Sequence, residues 1–283
     1  MSSGCPAVSS QETGRSRGRP RATRESQRPA PIQALDRGLT VLALVADEDR
    51  ATLTTLAATA DMPPSTLYRV LETLRRHDLV TFDGPAQTWS IGVEAFRIGQ
   101  GYARRTNYLE VGREVMRRLS EDSGETANIA VIEARELVYV AQIETRAPIR
   151  AFFPAGTRGV PQASGIGKAL LAYMDATTRA DLLATPPPAF TAHTLTDGAA
   201  LRVELARTRE RGWAVDDEER YVGMRCIAAP IFNEYGEPIA GLSISAPAAR
   251  LPKTTLERQA PMVRAAADEV TARIGGRPPR GTC

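Results

Sequence analysis

The chain has 283 residues, 42% hydrophobic and 24% charged, an ordinary globular balance with length for two domains. No apolar run approaches the roughly 20 residues needed to cross a bilayer, and the N-terminus lacks the apolar centre of a secretory signal, so the expected location is the cytoplasm. Its three cysteines, Cys5, Cys226 and Cys283, form neither a disulfide framework nor a metal-ligand spacing, and the formal net charge is only +3.

That charge is unevenly spread. Residues 1–30 hold Arg15, Arg17, Arg19, Arg21, Arg24 and Arg28 against Glu12 and Glu25, which makes this stretch +4 and leaves the rest at −1. Rich in Ser, Pro, Gly and Arg with little to bury, it is expected to be a disordered basic tail. Within it "RGRP", Arg17 to Pro20, resembles an AT-hook core, whose arginines suit the negative potential of a narrow minor groove. A solubilising tail reads equally well.

From Ile32 the pattern becomes helical, with Ile32, Leu35, Leu39, Leu42 and Val45 at three- and four-residue steps. A short helix over Thr52–Ala60 follows, then a break at Asp61–Pro64 and a second helix over Ser65–Arg76 with Leu67, Val70, Leu71 and Leu74 inward. Two short β-like runs, "LVTFD" and "TWSIG", come next around "GPAQ". This is the order of a winged helix-turn-helix, predicted over residues 31–92. The second helix offers Ser65, Thr66, Tyr68, Arg69, Arg75 and Arg76 opposite its apolar face, residue types that reach base edges and phosphates of double-stranded DNA. A merely solvated polar face is the competing reading.

Residues 93–106 read as a linker helix and residues 107–276 as a second domain mixing strands and helices, with residues 277–283 a flexible end. The strand pair "TANIAVIE" and "LVYVAQIET" turns at "AREL"; "RAFFPAG" follows. A helix is expected over Gly165–Met174 and another over Leu201–Arg211. "CIAAPIF" and "IAGLSISAP" form a pair turning at "NEYGEP", and a last helix spans about Pro252–Ile274. The fold class is α/β in the α+β sense.

Three features of this domain carry chemistry. In "ASGIGKALL" a helix opens on glycines that let an anion approach exposed N–H groups, while Gln162 and Ala169 rule out a Walker loop. In "GLSISAP" a period of two places Ser243 and Ser245 on one face. Cys226 has no thiol partner for zinc, and the only histidines, His77 and His193, have no sequence reason to lie beside it as a base. Buried core filler and ligand contact both remain open for it.

The stretches "IQALDRGLTVL", "PPSTLYRVLETLRRHDLV", "ASGIGKALLA" and "ERGWAVDDEERYVGMRCIAAPIFNEYGEPIAGLSISAP", in this order, resemble the IclR family of bacterial transcription regulators from about Ile32 to Ile274. The resemblance implies a winged helix-turn-helix, a linker helix that pairs two subunits, and a GAF-like effector domain. It further implies dimers or dimers of dimers on operator DNA; from the cysteine and histidine spacing no metal is expected, and no cofactor. In the branch that senses glyoxylate or pyruvate, the matching positions here are the amides of Gly165 and Ile166 with Asp216, Cys226, Ser243 and Ser245, with Asp217 as the alternative register for the aspartate. The implied effector is a small 2-oxo acid, glyoxylate before pyruvate, in a regulator of carbon metabolism. Two alternatives stay open: a regulator of an aromatic acid, and a GAF-like thiol enzyme in which Cys226 attacks an aldehyde.

Overall fold

The computed structural model describes Met1 and residues 31–48, 50–105 and 107–279. The basic tail, with Arg17 and Arg19, lies outside the described residues, as do Cys5 and Cys283. The chain divides into two compact units, Met1–Phe96 and Arg97–Cys283.

In the first unit, α1 (Gln33–Asp47), α2 (Leu53–Thr59) and α3 (Pro64–Arg76) pack with β1 (Ala51–Thr52), β2 (Val80–Asp83) and β3 (Thr88–Ile91) in the antiparallel order β1-β3-β2. Thr52 caps α2 by accepting the Thr55 N–H at 3.2 Å. Asp61 takes a positive φ of 48° between α2 and α3, and Pro64 opens α3 where its missing N–H costs nothing. The far end of the wing is anchored to the turn between α3 and β2 by the Gly92 N–H, which donates to Leu79 O at 2.8 Å. A Cβ at Gly92 would lie 2.1 Å from Asp78 O, so the approach requires glycine.

The core of this unit is Val41, Val45, Leu56, Leu67, Leu71, Leu74, Val80 and Trp89. The stripe expected along α1 is buried only at its C-terminal end. Ile32, Leu35 and Leu39 are 70%, 58% and 57% exposed, and burial falls on Val41 and Val45 in the C-terminal half. The helical period is as predicted, and of its stripe Val45 is buried and Leu42 half-buried. The two-residue strand β1, which pairs Ala51 with Trp89, is too short to leave a pattern.

Helix α4 (Val93–Arg105) follows the wing. The second unit then runs α5 (Asn107–Ser123), β4 (Thr126–Glu133), β5 (Glu136–Ile143), β6 (Arg158–Gly159), a 3-10 turn at Pro161–Ala163, α6 (Gly165–Leu171), α7 (Ala176–Leu183), α8 (Gly198–Arg211), β7 (Ala214–Asp217), β8 (Met224–Phe232), β9 (Pro238–Pro247) and α9 (Lys253–Arg273). Its six strands form one antiparallel sheet, ordered β6-β5-β4-β9-β8-β7.

Alternation along the strands makes two cores. Ile129, Ile227, Leu242 and Ile244 face α5 and α9, meeting Met116, Leu119, Val263 and Val270. On the opposite face Ala130, Tyr139, Cys226 and Ala228 meet Ile166, Ala169 and Leu170 of α6. The predicted α6 ends at Leu171, short of Met174, and residues 151–154 of "RAFFPAG" carry no regular structure.

Candidate functional site

On the nucleic-acid side, α3 presents Ser65, Tyr68 and Arg69 to solvent, with Thr66 half-buried. Tyr68 is held edge-on to the buried Trp89 of β3, ring centroids 6.4 Å apart, so the wing strand fixes this side chain. Between α1 and α3 runs an open groove of about 720 Å³ whose walls include Arg37, Arg69 and Arg76. Sequence reading missed Arg37, which lies on α1. Arg75 is exposed but engaged: its Nε and Nη2 donate to the Glu72 carboxylate at 3.0 and 2.9 Å.

The second candidate site lies where α6 meets the sheet. Cross-strand register sets Asp216 opposite Cys226, Cys226 opposite Ser245 and Ser245 opposite Thr126, one lateral row over four strands. The adjacent row aligns Ala228, Ser243 and Asn128. All of the polar members of these rows are buried. Asn128 Nδ2 donates to Ser245 Oγ at 3.2 Å, and Gln142 Nε2 donates to Asn128 Oδ1 at 3.0 Å.

Helix α6 enters this row at its first turn. Its ladder begins with the Lys168 N–H donating to Ser164 O at 2.9 Å, and Ser164 Oγ accepts the Gly167 N–H at 3.5 Å. The N–H groups of Gly165 and Ile166 stand outside that ladder, as helix starts require. Gly165 is pressed against the sheet: a Cβ there would lie 3.0 Å from Cys226 Sγ and 3.4 Å from both Ala228 Cβ and Asp216 N.

The cavity at this place is about 30 Å³ and is walled by Ser164, Asp216, Tyr139, Phe153, Tyr221 and Met224, among others. Thus the structure brings Gly165, Ile166, Asp216, Cys226, Ser243 and Ser245 to one place, but only Asp216 of the six lines the cavity. Tyr139, which lines the cavity beside Ser164, and Asn128, bonded to Ser245, belong to the same cluster and were missed. Both come from the β4–β5 pair, earlier in the chain than all six of those residues.

Electrostatics separate the candidates. Burial first, then the Glu219 carboxylate, push the Asp216 carboxyl up to about 7, against the N–H groups of Glu219 and Arg220 and the Lys168 charge. Glu219 N donates to Asp216 Oδ1 at 2.8 Å. Burial and Asp216 push the Cys226 thiol up to about 11, eased by the hydroxyls of Ser245 and Ser243. A buried, protonated thiol is a poor nucleophile, and both histidines are exposed while Cys226 is not.

The acidic run is not the solvated stretch its composition suggests. Asp217 and Glu218 both pair with Arg225, and Glu219 forms a buried ion pair with Lys168. Strand β7 turns Asp216 inward and Asp217 toward Arg225. Among the described residues, no group of three or more His, Cys, Asp or Glu is placed to hold a metal, and no helix is long and apolar enough to cross a membrane.

A winged helix-turn-helix ahead of an α/β unit with a small cavity defines a DNA-binding regulator with an effector domain. Residues 34–84 match the IclR helix-turn-helix domain, and residues 100–272 match the family described as bacterial transcriptional regulator IclR C-terminal. The chain is 44% identical over 261 residues to the HTH-type transcriptional regulator BhcR of Paracoccus denitrificans (strain Pd 1222), covering 91% of this chain and 94% of that one. It is 37% identical over 264 residues to the transcriptional repressor IclR of Escherichia coli (strain K12), covering 92% and 96%. Its fold superposes on the crystal structure of a transcriptional regulator from Rhodococcus sp. RHA1 with a TM-score of 0.76, at 27% identity over 86% of this chain and 98% of that one. The chain therefore belongs to the IclR family of transcriptional regulators, and it is a regulator, not an enzyme.

Proposed function

We propose that this regulator senses a small 2-oxo acid, glyoxylate before pyruvate, and that occupancy changes its affinity for operator DNA. The observation that carries the reading is the cavity of about 30 Å³ with Asp216 in its wall. A space of one or two water volumes suits a two- or three-carbon acid and disfavours an aromatic one. Behind it stands a second indication, the Ser243 Oγ, buried without a hydrogen-bond partner. The free N–H groups of Gly165 and Ile166 receive the carboxylate, protonated Asp216 donates to the carbonyl or hydrate oxygen, and Ser243 and Ser245 supply the remaining polar contacts. Cys226 is a contact that yields its place against the serines when the ligand enters.

The DNA reading rests on Ser65, Thr66, Tyr68 and Arg69 at the exposed start of α3 facing base edges in the major groove, with Arg75 and the tail arginines Arg17 and Arg19 for the backbone or minor groove. Dimers carry two such heads. Ile32, Leu35 and Leu39 on α1, and Val93 and Phe96 at the start of α4, are all exposed apolar side chains suited to a partner subunit. Dimers of dimers, residues 93–106 as the linker and a cytoplasmic place of action complete the proposal. The ligand must bind the two arrangements of the reading heads unequally to act as a signal.

The test is calorimetric titration of the full chain with glyoxylate, using pyruvate, glycolate and 4-hydroxybenzoate as comparators, alongside operator binding with and without glyoxylate. Saturable heat with glyoxylate and a shift in operator affinity are expected. Heat only with the aromatic acid would overturn the reading.

A further inference from the structure

The inner cavity opens beside an outer groove of about 350 Å³ with Arg135, Glu136, Gln162 and residues of the Thr185–Pro188 stretch on its walls. Four residues, Arg158, Gly159, Val160 and Arg220, line both spaces. A ligand bound in the inner cavity borders this shared wall, and two of its members are cationic.

The cations there are not equivalent. Arg158 Nη1 donates to Glu136 Oε2 at 2.5 Å, and Arg135 pairs with Asp181. Each of these charges is met by a carboxylate. Arg220 has no carboxylate partner among the described residues. Its guanidinium instead lies over the Phe190 ring, 3.8 Å from the centroid, with the Tyr221 ring at 5.3 Å. Stacking holds a guanidinium in place without cancelling its charge. The nearby carboxylates are engaged elsewhere: Glu218 with Arg225, Glu219 with Lys168, and Asp216 with the backbone N–H of Glu219.

The loop bearing Arg220 is also fixed from several sides. Thr191 Oγ1 donates to Glu218 O and Thr194 Oγ1 to Glu219 O, both at 2.7 Å, while the Arg220 N–H is directed to the Asp216 carboxylate. The same backbone that orients Asp216 in the inner cavity therefore places an uncompensated positive charge at its boundary with the groove.

We propose that Arg220 is the capture residue of the effector site: its guanidinium, stacked on Phe190 at the wall shared by groove and cavity, draws a small carboxylate from solvent toward the inner cavity. The inference rests on the small oxo-acid reading above and adds to it a residue that sets the rate of entry and the preference for anions. Electrostatic capture acts on association more than on dissociation and weakens with salt.

The experiment is a charge series at position 220 in the full chain, Arg220→Lys, Arg220→Gln and Arg220→Glu. Association and dissociation rates come from 13C line shapes of labelled glyoxylate at low and high salt. Arg220→Gln is expected to bind on the order of tenfold more slowly at low salt and to lose the salt dependence. Arg220→Lys keeps most of both, Arg220→Glu is slowest, and dissociation rates change by less than about twofold. Equal losses in Arg220→Lys and Arg220→Gln would show dependence on shape rather than charge and overturn the proposal. So would an effect confined to dissociation, or an Arg220→Gln protein with the unaltered rate. Absence of glyoxylate binding by the unaltered protein would remove the oxo-acid reading itself, and the capture role with it.

Discussion

Ser243 and Ser245 stand two residues apart on the same face of β9, yet Asn128 Nδ2 satisfies only Ser245, at 3.2 Å; Ser243 Oγ is buried with no hydrogen-bond partner among the described residues. An unpartnered buried hydroxyl costs roughly 1–3 kcal/mol, whereas removing one member of a bonded pair strands the other. Ser243→Ala is therefore expected to leave stability unchanged or raise it by about 1 kcal/mol, and Ser245→Ala to lower it by about 1–3 kcal/mol. Both should weaken glyoxylate binding, by about tenfold or more for Ser243→Ala, in which a ligand contact is lost and the only polar neighbour left behind is the weakly interacting Cys226 thiol. Denaturant melts and calorimetry on the two variants separate these effects. A Ser243→Ala protein that loses stability and keeps its affinity would place the hydroxyl in the fold and not in the site.

Asp216 gives a pH dependence with a definite sign. Its folded-state value, about 7, lies above the ordinary aspartate value of 3.8, so the folded protein holds a proton that the unfolded chain has released. The stability it contributes is full below about 3.8, declines as pH rises, and is lost as pH passes through about 7, at no more than about 1.4 kcal/mol per unit. An anionic effector follows the same direction, because a deprotonated Asp216 repels it and can no longer donate. Affinity for glyoxylate should fall between about pH 6 and about pH 8, and Asp216→Asn, fixed in the donating form, should flatten the profile. A steep profile in Asp216→Asn would assign the titration to another group.

How much of this was legible in the sequence follows from the range of the interactions involved. The helix-turn-helix was readable because α2, α3 and the wing are contiguous, and Ser243 and Ser245 because a period of two is local. The inward face of α1 was so only in part, since Ile32, Leu35 and Leu39 carry the same spacing as the residues that are buried; only the tertiary contacts distinguish them. Helix α7 buries Leu182 alone and so leaves no apolar period, although Asp175, accepting the Thr177 and Thr178 N–H groups, is a cap signal that marks its start. Asn128 and Tyr139 reach the site through strand register, and Arg220 through the fold of one loop, neither of which a single sequence displays.

The Lys168–Glu219 ion pair ties α6 to the loop that carries Arg220, with side chains only 1% and 5% exposed. Burial pushes the Glu219 carboxyl up while Lys168, at Oε1, pulls it down, and Glu219 Oε2 has no hydrogen-bond partner among the described residues. Removing the cation strands a carboxylate in the interior, so Lys168→Met should cost about 3–5 kcal/mol. Replacing both with apolar residues, Lys168→Met with Glu219→Leu, should restore most of the loss. Denaturant midpoints of the single and double variants measure the coupling. A double variant no more stable than Lys168→Met alone would mean the lysine stem, and not its charge, supports α6.

In the DNA-binding unit the informative pair is Arg75 and Glu72, joined by two hydrogen bonds along α3. Glu72 lies partly buried and holds Arg75 in a pair that DNA must compete with, whereas Arg69, one turn and a half earlier, has no carboxylate partner among the described residues. Each phosphate contact contributes about one unit to the slope of log affinity against log salt, so the two arginines are distinguishable by that slope. Arg69→Ala should weaken binding to an operator duplex and make the slope shallower by about one. Glu72→Gln should tighten binding a few-fold and steepen the slope, because Arg75 is released to the backbone, and that gain should vanish in Glu72→Gln with Arg75→Ala. Fluorescence anisotropy over about 50 to 200 mM salt reads all three. If Glu72→Gln leaves affinity and slope unchanged, Arg75 is a helix-stabilising partner of Glu72 and the phosphate contacts belong to Arg69 and the arginines around the α1–α3 groove.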